Sequence, residues 1–582
     1  MVMRQFLLDI ITRVGHIRPT LVINSIIYQQ LEGGRVMRRS YGKRFSAVGI
    51  GLALAFACAL VLSSLGMAAE QPRRGGILTF VVPAEPPSYD GHRETTFALI
   101  HPIAPFYSLL IRVNPNNPSS PTDFVGDLAL EVPKPTNGGK KYTFKLRKNA
   151  KFWDGQPVTA HDVVASFKKI IFPPEGVASA RKAFFTMVDK VYAQDDYTVV
   201  FELKYPSSAF IPAVANPFNF IYSAKKLAKD MHWYEKHILG SGPFIFVQHQ
   251  PGAFIEGKRN PNYHHPGQPY LDGFKAIFAK KQSLRVQAIR GGRAMIEFRG
   301  FPPKSRDDLK RALGDKITVQ ESDWNCVLLV NPNHLVKPFD DPRVRRALTL
   351  AIDRWGGSKY LSKIAIVKTV GGIVFPKHPL AATKEELQQL AGYWPDLEKS
   401  RAEARRLLRE AGVPEGFKFK FHNRGVDQPY KIVGTWLIDQ WRSIGLDVEQ
   451  WVQPTGPFYK TLRSHSTEFQ VSIDFNCQAV VNPLIDVSKF ISDDRSGNNY
   501  ANYKDRVLDE LYDKMNRTTD FEEQRRLMRQ FEKRVLDEQA HMLVTLWWYR
   551  IIPHRSIVRG WKISPSHYLN QQLDTVWLAQ EQ

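Results

Sequence analysis

Apolar and polar positions along the chain switch between a period of two and a period near 3.6, the signatures of half-buried strands and amphipathic helices. Tyr142-Thr143-Phe144-Lys145-Leu146-Arg147 alternates with period two and predicts a strand, as does Phe417-Lys418-Phe419-Lys420-Phe421. Asp447 to Val452 predicts another, after the break Ile444-Gly445-Leu446. Apolar runs of strand length occur at Gly76 to Val82, Val199 to Leu203 and Phe244 to Val247. Turn residues punctuate them: Pro83-Ala84-Glu85-Pro86-Pro87 follows the first and Gly240-Ser241-Gly242-Pro243 precedes the last. Lys151 to Pro157 is turn chemistry, with Asp154-Gly155 supplying the bend. Helical spacing marks Arg343 to Asp353, Leu397 to Ala411, Tyr430 to Ile444 and Phe521 to Gln539. Thr159 and Asp162 suit the start of a further helix, Val163 to about Ile170, while Gly412 and Pro414 stop the one before them. Alternating strands and helices make the class α/β with more than one sheet.

A chain of 582 residues exceeds one hydrophobic core, so two or more lobes are expected. Its 35 Phe, 21 Tyr and 12 Trp suit either large cores or a cleft that stacks on a ligand. Near the N-terminus, basic residues Arg38, Arg39, Lys43 and Arg44 precede the apolar run Ala47 to Leu62, and small residues follow at Gly66 to Ala69. That order predicts a cleavable secretory signal over 37–69, with residues 1–36 reading as a mis-assigned start. Arg38-Arg39 with Lys43 loosely resembles a twin-arginine export signal, and Cys58 sits poorly for a lipoprotein cleavage site. The product is therefore expected in an extracytoplasmic compartment, the periplasm.

The net charge is +23, yet Lys and Arg are scattered, with no basic arm and no nucleic-acid-binding motif. Solubility and docking electrostatics account for the surplus, and no nucleic-acid partner is expected. Two cysteines, Cys326 and Cys477, remain after the signal, and an even pair in an oxidising compartment suits a disulfide. Catalytic signatures are missing: there is no nucleophile elbow, HExxH helix, P-loop or dinucleotide fingerprint. His264-His265 alone is a weak ligand set and reads as a surface turn, so neither a metal nor a cofactor is expected. The residues fit a binding protein better than an enzyme. The competing readings are an extracytoplasmic hydrolase on a divergent scaffold and a chaperone-like binder of larger partners.

The run Tyr142 to Val163 resembles the signature of the extracytoplasmic solute-binding proteins of family 5, which include oligopeptide-, dipeptide- and nickel-binding components of ABC importers. Pro87-Ser88-Tyr89-Asp90, Gly240 to Phe244, Arg259-Asn260-Pro261-Asn262-Tyr263, Phe339 to Leu348 and Ala351-Ile352-Asp353-Arg354 agree with further family elements in order. The resemblance covers essentially the whole chain after the leader. It implies a two-lobed periplasmic-binding-protein fold of the class II type, with an additional domain and a ligand cleft between the lobes. Mapped onto this chain, lobe I would comprise 70–113, 217–325 and 545–582, the extra domain 114–216, and lobe II 326–544. The implied function is a receptor that closes on a peptide or other small polar solute and delivers it to ABC transporter permease subunits. It would act as a monomer and without chemistry of its own.

The resemblance also supports a Cys326–Cys477 disulfide and places the segment around Cys477 on the cleft wall. Peptide-binding members carry an aspartate two residues after that cysteine, which pairs with the α-ammonium of the peptide. This chain has Ala479 there, and Ile473 where some members keep a basic residue. Asp474 could replace the lost acid, although it and Cys477 point to opposite faces of a strand; Asp486 is a second, more structural candidate. A sugar-derived or opine-like ligand becomes a competitor to peptide. The candidate ligand-binding residues are Ser88, Tyr89, Asp474, Phe475, Asn476, Cys477, Gln478, Ala479, Trp547 and Tyr549, the aromatic ones offering stacking surface or core packing.

Overall fold

A computed structural model describes residues 70–580, apart from Val481 and Thr519. The leader expectations for 1–36 and 37–69 lie outside the described residues. Among the described residues, no helix is long and apolar enough to cross a membrane.

Pro72 onward forms one compact unit built on three principal sheets. The first has four strands in the order Ile77–Val82, Gly273–Phe278, Phe254–Arg259, Phe244–Gln250, and its first two strands run parallel. Their apolar faces bury Leu78, Phe80, Phe244 and Phe274 completely or nearly so. The turn before Phe244 requires glycine: a Cβ on Gly240 or Gly242 would collide with the Phe106 main chain. A second sheet, Lys141–Lys145, Thr198–Leu203 and Val188–Asp195, is antiparallel and carries the alternating strand expected from Tyr142. The helix Ala160–Ile171 packs on it. The Asp162 carboxylate accepts from the Thr159 main-chain N–H at 2.8 Å and from its hydroxyl at 3.0 Å, closing the capping box at the helix start.

The third sheet is mixed and six-stranded: Val367–Thr369, Leu543–Arg555, Ile317–Pro332, Val471–Cys477, Lys418–Arg424, Asp447–Gln453. Two of its strands are unusually long, 16 residues for Ile317–Pro332 and 13 for Leu543–Arg555. They pair antiparallel along their length, with register shifts between Asp323 and Val327 and between Val327 and Leu329. On one side of the first shift, residues 317–323 and 549–555 lie against the chain that ends the first sheet's half: Phe301 N–H donates to Ile551 O at 2.9 Å, and Arg555 N–H to Met295 O at 2.7 Å. On the other side, residues 326–332 pair with Val471–Cys477. The two strands therefore tie two separate groups of elements together.

Most expected elements appear where the pattern put them. Three helices differ at their ends. The run from Arg343 is split: one helix spans Pro342–Leu350, and Asp353 caps a new one, Arg354–Ile364, by accepting from Gly356 N–H at 2.8 Å. The helix expected from Tyr430 begins at Ile432, after a wide turn over Asp427–Lys431. The helix from Phe521 keeps α geometry to Lys533 and widens into a π turn over Arg534–Glu538.

Cys326 and Cys477 form a disulfide between directly opposed residues of neighbouring antiparallel strands, with Cα atoms 4.1 Å apart. It closes a loop of 151 residues. Closing so long a loop removes conformational freedom from the unfolded chain. We expect no reactive thiol in the unreduced, unfolded chain after the leader, and a loss of about 2–5 kcal/mol of stability in a Cys326→Ser/Cys477→Ser variant by urea unfolding. Two titratable thiols in the unreduced protein would reject the bridge.

Candidate functional site

A small, partly open cavity of about 30 Å³ lies where the three sheets' neighbourhoods meet. Thr95, Phe218 and Tyr568 reach it from the part holding the four-stranded sheet. Arg181, Phe184 and Asn216 reach it from beside the three-stranded sheet, and Asp474 to Ala479 line it from the end of the strand Val471–Cys477. Lys489, Asn498 and Tyr500 complete it from the loop and short helices that follow. A water molecule needs roughly 10–15 Å³ of such volume, so the space is about two waters in size. A ligand as large as a dipeptide must move side chains or hold the surrounding parts further apart.

Six of the ten sequence-selected residues, Asp474 through Ala479, thus line one cavity. The other four are not among its lining residues. Ser88 donates to Glu94 at 2.9 Å, and the Tyr89 hydroxyl lies 2.6 Å from His249 Nδ1. Trp547 is buried, donates to Gly372 O at 2.9 Å and packs edge-on against Phe375. The Tyr549 hydroxyl donates to Glu321 at 3.2 Å, and Lys368 sits over its ring. Sequence reasoning missed Arg181, Lys489 and Tyr500, because single basic residues and a polar loop such as Ser496 to Tyr503 carry no period that marks a wall. His264 and His265 do not form an open turn: both rings lie within 3.0 Å of one Asp127 oxygen, and His264 is buried.

The charges around the cavity are paired in a definite way. Asp474 is only 1% exposed and accepts from Lys489 Nζ at 2.8 Å, so the acid nearest the missing aspartate already holds a cation. Asp486 is buried, and desolvation pushes its carboxyl well above the usual range. Glu94 is fully buried and takes a bidentate pair from Arg463, at 2.6 and 3.2 Å. Close by, Arg424 donates to Thr96 at 2.8 Å, and Asn498 donates to Ala180 O at 2.7 Å. These contacts join the segments on opposite sides of the cavity.

The chain belongs to the bacterial extracellular solute-binding proteins, family 5. The family's middle-region profile matches residues 123–497. Di/tripeptide-binding protein 1 of Pseudomonas aeruginosa is 26% identical over 474 residues, which is 74% of this chain and 82% of that protein. Glutathione-binding protein GsiB of Pectobacterium atrosepticum is 29% identical over 297 residues, 50% of this chain and 54% of its own length. Two solved structures share the fold: DppA of Helicobacter pylori in complex with the peptide STSA, at TM-score 0.75 and 23% identity, covering 87% of this chain and 99% of that one; and AgaA of A. tumefaciens R10 in complex with agropinic acid, at TM-score 0.76 and 22% identity, covering 87% of this chain and 99% of that one. The fold is the two-lobed α/β one, and the family is one of solute-binding proteins. Nothing in these relationships favours the hydrolase reading.

Two measurements follow from this geometry. Lys489→Met should cost about 3–5 kcal/mol in urea unfolding, because it strands the buried Asp474 charge, whereas Asp474→Asn/Lys489→Met together should recover most of that loss. Additive losses would mean that the two side chains act independently. Burial, with the nearby cations, holds both His92 and His101 at about 3. The unfolded chain protonates these rings near 6.5 and the folded one does not. Their contribution is complete above pH 6.5 and is lost as pH falls from there towards 3. The melting temperature should drop steadily from pH 7 to pH 5, and His101→Gln should flatten that slope; an unchanged slope would count against a neutral, buried ring.

Proposed function

We propose that this protein is the periplasmic receptor of an ABC importer, a monomer that captures a small polar solute by hinge closure and presents it to membrane permease subunits. The observation that carries this reading is the cavity's composition, with walls drawn from three structurally separate parts of the chain. In the lobe assignment we adopt, 70–113, 217–325 and 545–582 form lobe I, 114–216 the extra domain, and 326–544 lobe II. The sheet membership supports it: the four-stranded sheet draws only on the first set and the three-stranded sheet only on 114–216. The paired long strands are the natural hinge, since a register shift near Asp323 and Val327 interrupts their ladder between the lobes. A solute that touches both walls binds the closed form better and shifts the population towards it.

The binding residues we assign are Asp474, Phe475, Asn476, Cys477, Gln478 and Ala479 with Arg181 and Lys489. Peptide is one ligand class that the relatives' names suggest. Against its usual ionic clamp stand Ala479 in the acid's place and Asp474 already committed to Lys489. Main-chain pairing of the strand-addition kind remains available to a peptide, because it needs no particular side chain. Native mass spectrometry of the protein as purified from the periplasm should reveal a co-purifying small molecule, released intact on unfolding. Recovery of a reaction product formed by the purified protein would overturn the receptor reading, and a ladder of peptide masses would decide for peptide.

A further inference from the structure

Around the cleft, each buried ionised carboxylate has a cation of its own: Asp90 with Lys169, Glu94 with Arg463, Asp474 with Lys489 and, behind them, Glu297 with Arg285 at 2.9 Å. Arg299, Arg424 and Arg550 are almost completely buried, and among the described residues no salt bridge reaches any of the three. Arg424 satisfies its donors with the hydroxyls of Thr96, Thr455 and Tyr459, and Arg550 with main-chain carbonyls. Arg299 does not. Its Nη1 donates to Gln428 O across the closed interface, while Nε and Nη2 have no partner among the described residues. Those two nitrogens form the side edge of the guanidinium, the fork that matches a carboxylate or phosphate with two parallel hydrogen bonds.

The surroundings sharpen this. The Arg299 guanidinium lies 4.6 Å from the Phe97 ring centroid and 5.1 Å from that of Trp548. Arg424 lies 4.7 Å from the same Phe97, and both arginines face Tyr430. Two guanidiniums from opposite sides of the cleft therefore share one aromatic box. The rings soften the desolvation of the cations but supply no charge to neutralise them. Burial lowers the Arg299 pKa to about 10, which still leaves it charged at neutral pH. Glu297 lies close enough to favour the Arg299 charge, but it is ion-paired with Arg285 and makes no hydrogen bond to Arg299, so two buried N–H donors stay unsatisfied, a cost that a bound acceptor would remove. The box adjoins the cavity: Phe475, on the cavity wall, contacts both Tyr430 and Trp548.

We propose that the Nε/Nη2 edge of Arg299 binds the anionic group of the imported solute, so that the ligand class is a small organic anion, carrying a carboxylate or a phosphate. This rests on the receptor reading above. The anionic group enters while the lobes are apart, and closure brings Arg424 towards it, adding a second positive charge from lobe II. A carboxylate in that place converts Arg299 from a destabilising charge into a contact made only in the closed, loaded state. The absence of an acid at Ala479 is in keeping with such a solute, which needs no partner for an ammonium group.

The test is calorimetric titration and thermal melting with five probes: glucarate, glucose 6-phosphate, glucose, dialanine and trialanine. We expect glucarate, glucose 6-phosphate or both to raise the melting temperature, and glucose not to. The first is a carboxylate and the second a phosphate, so their comparison separates the two sources of charge. Arg299→Met should weaken the anion by about tenfold or more and leave the ligand-free melting temperature equal or higher, since it removes two buried donors that have no acceptor. A merely structural arginine would instead lower that temperature when replaced. Should Arg299→Met fail to fold, Arg299→Lys keeps the charge but not the fork, and the same tenfold loss is expected. Binding of dialanine, trialanine or glucose with unchanged affinity in Arg299→Met would overturn the anion proposal and leave the receptor standing. Stabilisation by none of the five would overturn it as well, while the receptor reading is judged separately by the co-purified molecule.

Discussion

The two groups of elements in this molecule are tied together by the pairing of Ile317–Pro332 with Leu543–Arg555. One half of that ladder is packed against the chain leaving the four-stranded sheet, and the other half is the centre of the six-stranded sheet. Hydrogen bonds across strands resist sliding but permit twist and bend, most easily where the register shifts. The shift between Asp323 and Val327 falls between the two packed halves. The disulfide lies within that interval, at Cys326, and fastens the strand that carries the cavity wall to the same ladder. The wall is thereby fastened to the half of the ladder that forms the centre of the six-stranded sheet.

The second organising feature is electrostatic. Buried charges are tolerated when each has a partner held by good hydrogen-bond geometry. Asp474 with Lys489 and Glu94 with Arg463 meet that condition, one within a wall and one across the cleft. Arg299 breaks the rule, and it does so inside an aromatic box at the junction of the two sides. Departures of this kind gather where a protein binds something, because the stability lost without ligand is regained with it.

Much of the secondary structure was legible from period alone. The alternation from Tyr142 and from Phe417, and the Thr159/Asp162 start signal, describe elements that form locally and need little from the rest of the fold. Helix ends were less so: Asp353 reads as the tail of one helix until its side chain is seen capping the next. The segment Asp474 to Ala479 was found through family resemblance, not through any intrinsic mark of a cavity. Trp547 and Tyr549 illustrate the opposite outcome: residues two apart on a strand ordinarily share a face, yet beside a register shift the first is buried against Phe375 and the second bonds to Glu321, so only the structure tells core from cleft.

By itself, then, the sequence determined the class of fold, the order of its elements, the pair of cysteines available for bridging and the presence of alanine at position 479. Those properties are set by local pattern or by the identity of one residue. Only the tertiary structure decided that Lys489 already neutralises Asp474, that Glu94 meets Arg463 369 positions away, and that Arg299 is left with a free fork. Each of these is a distance between residues remote along the chain, and Coulomb energies and hydrogen bonds depend on that distance and on local burial, which no linear pattern encodes.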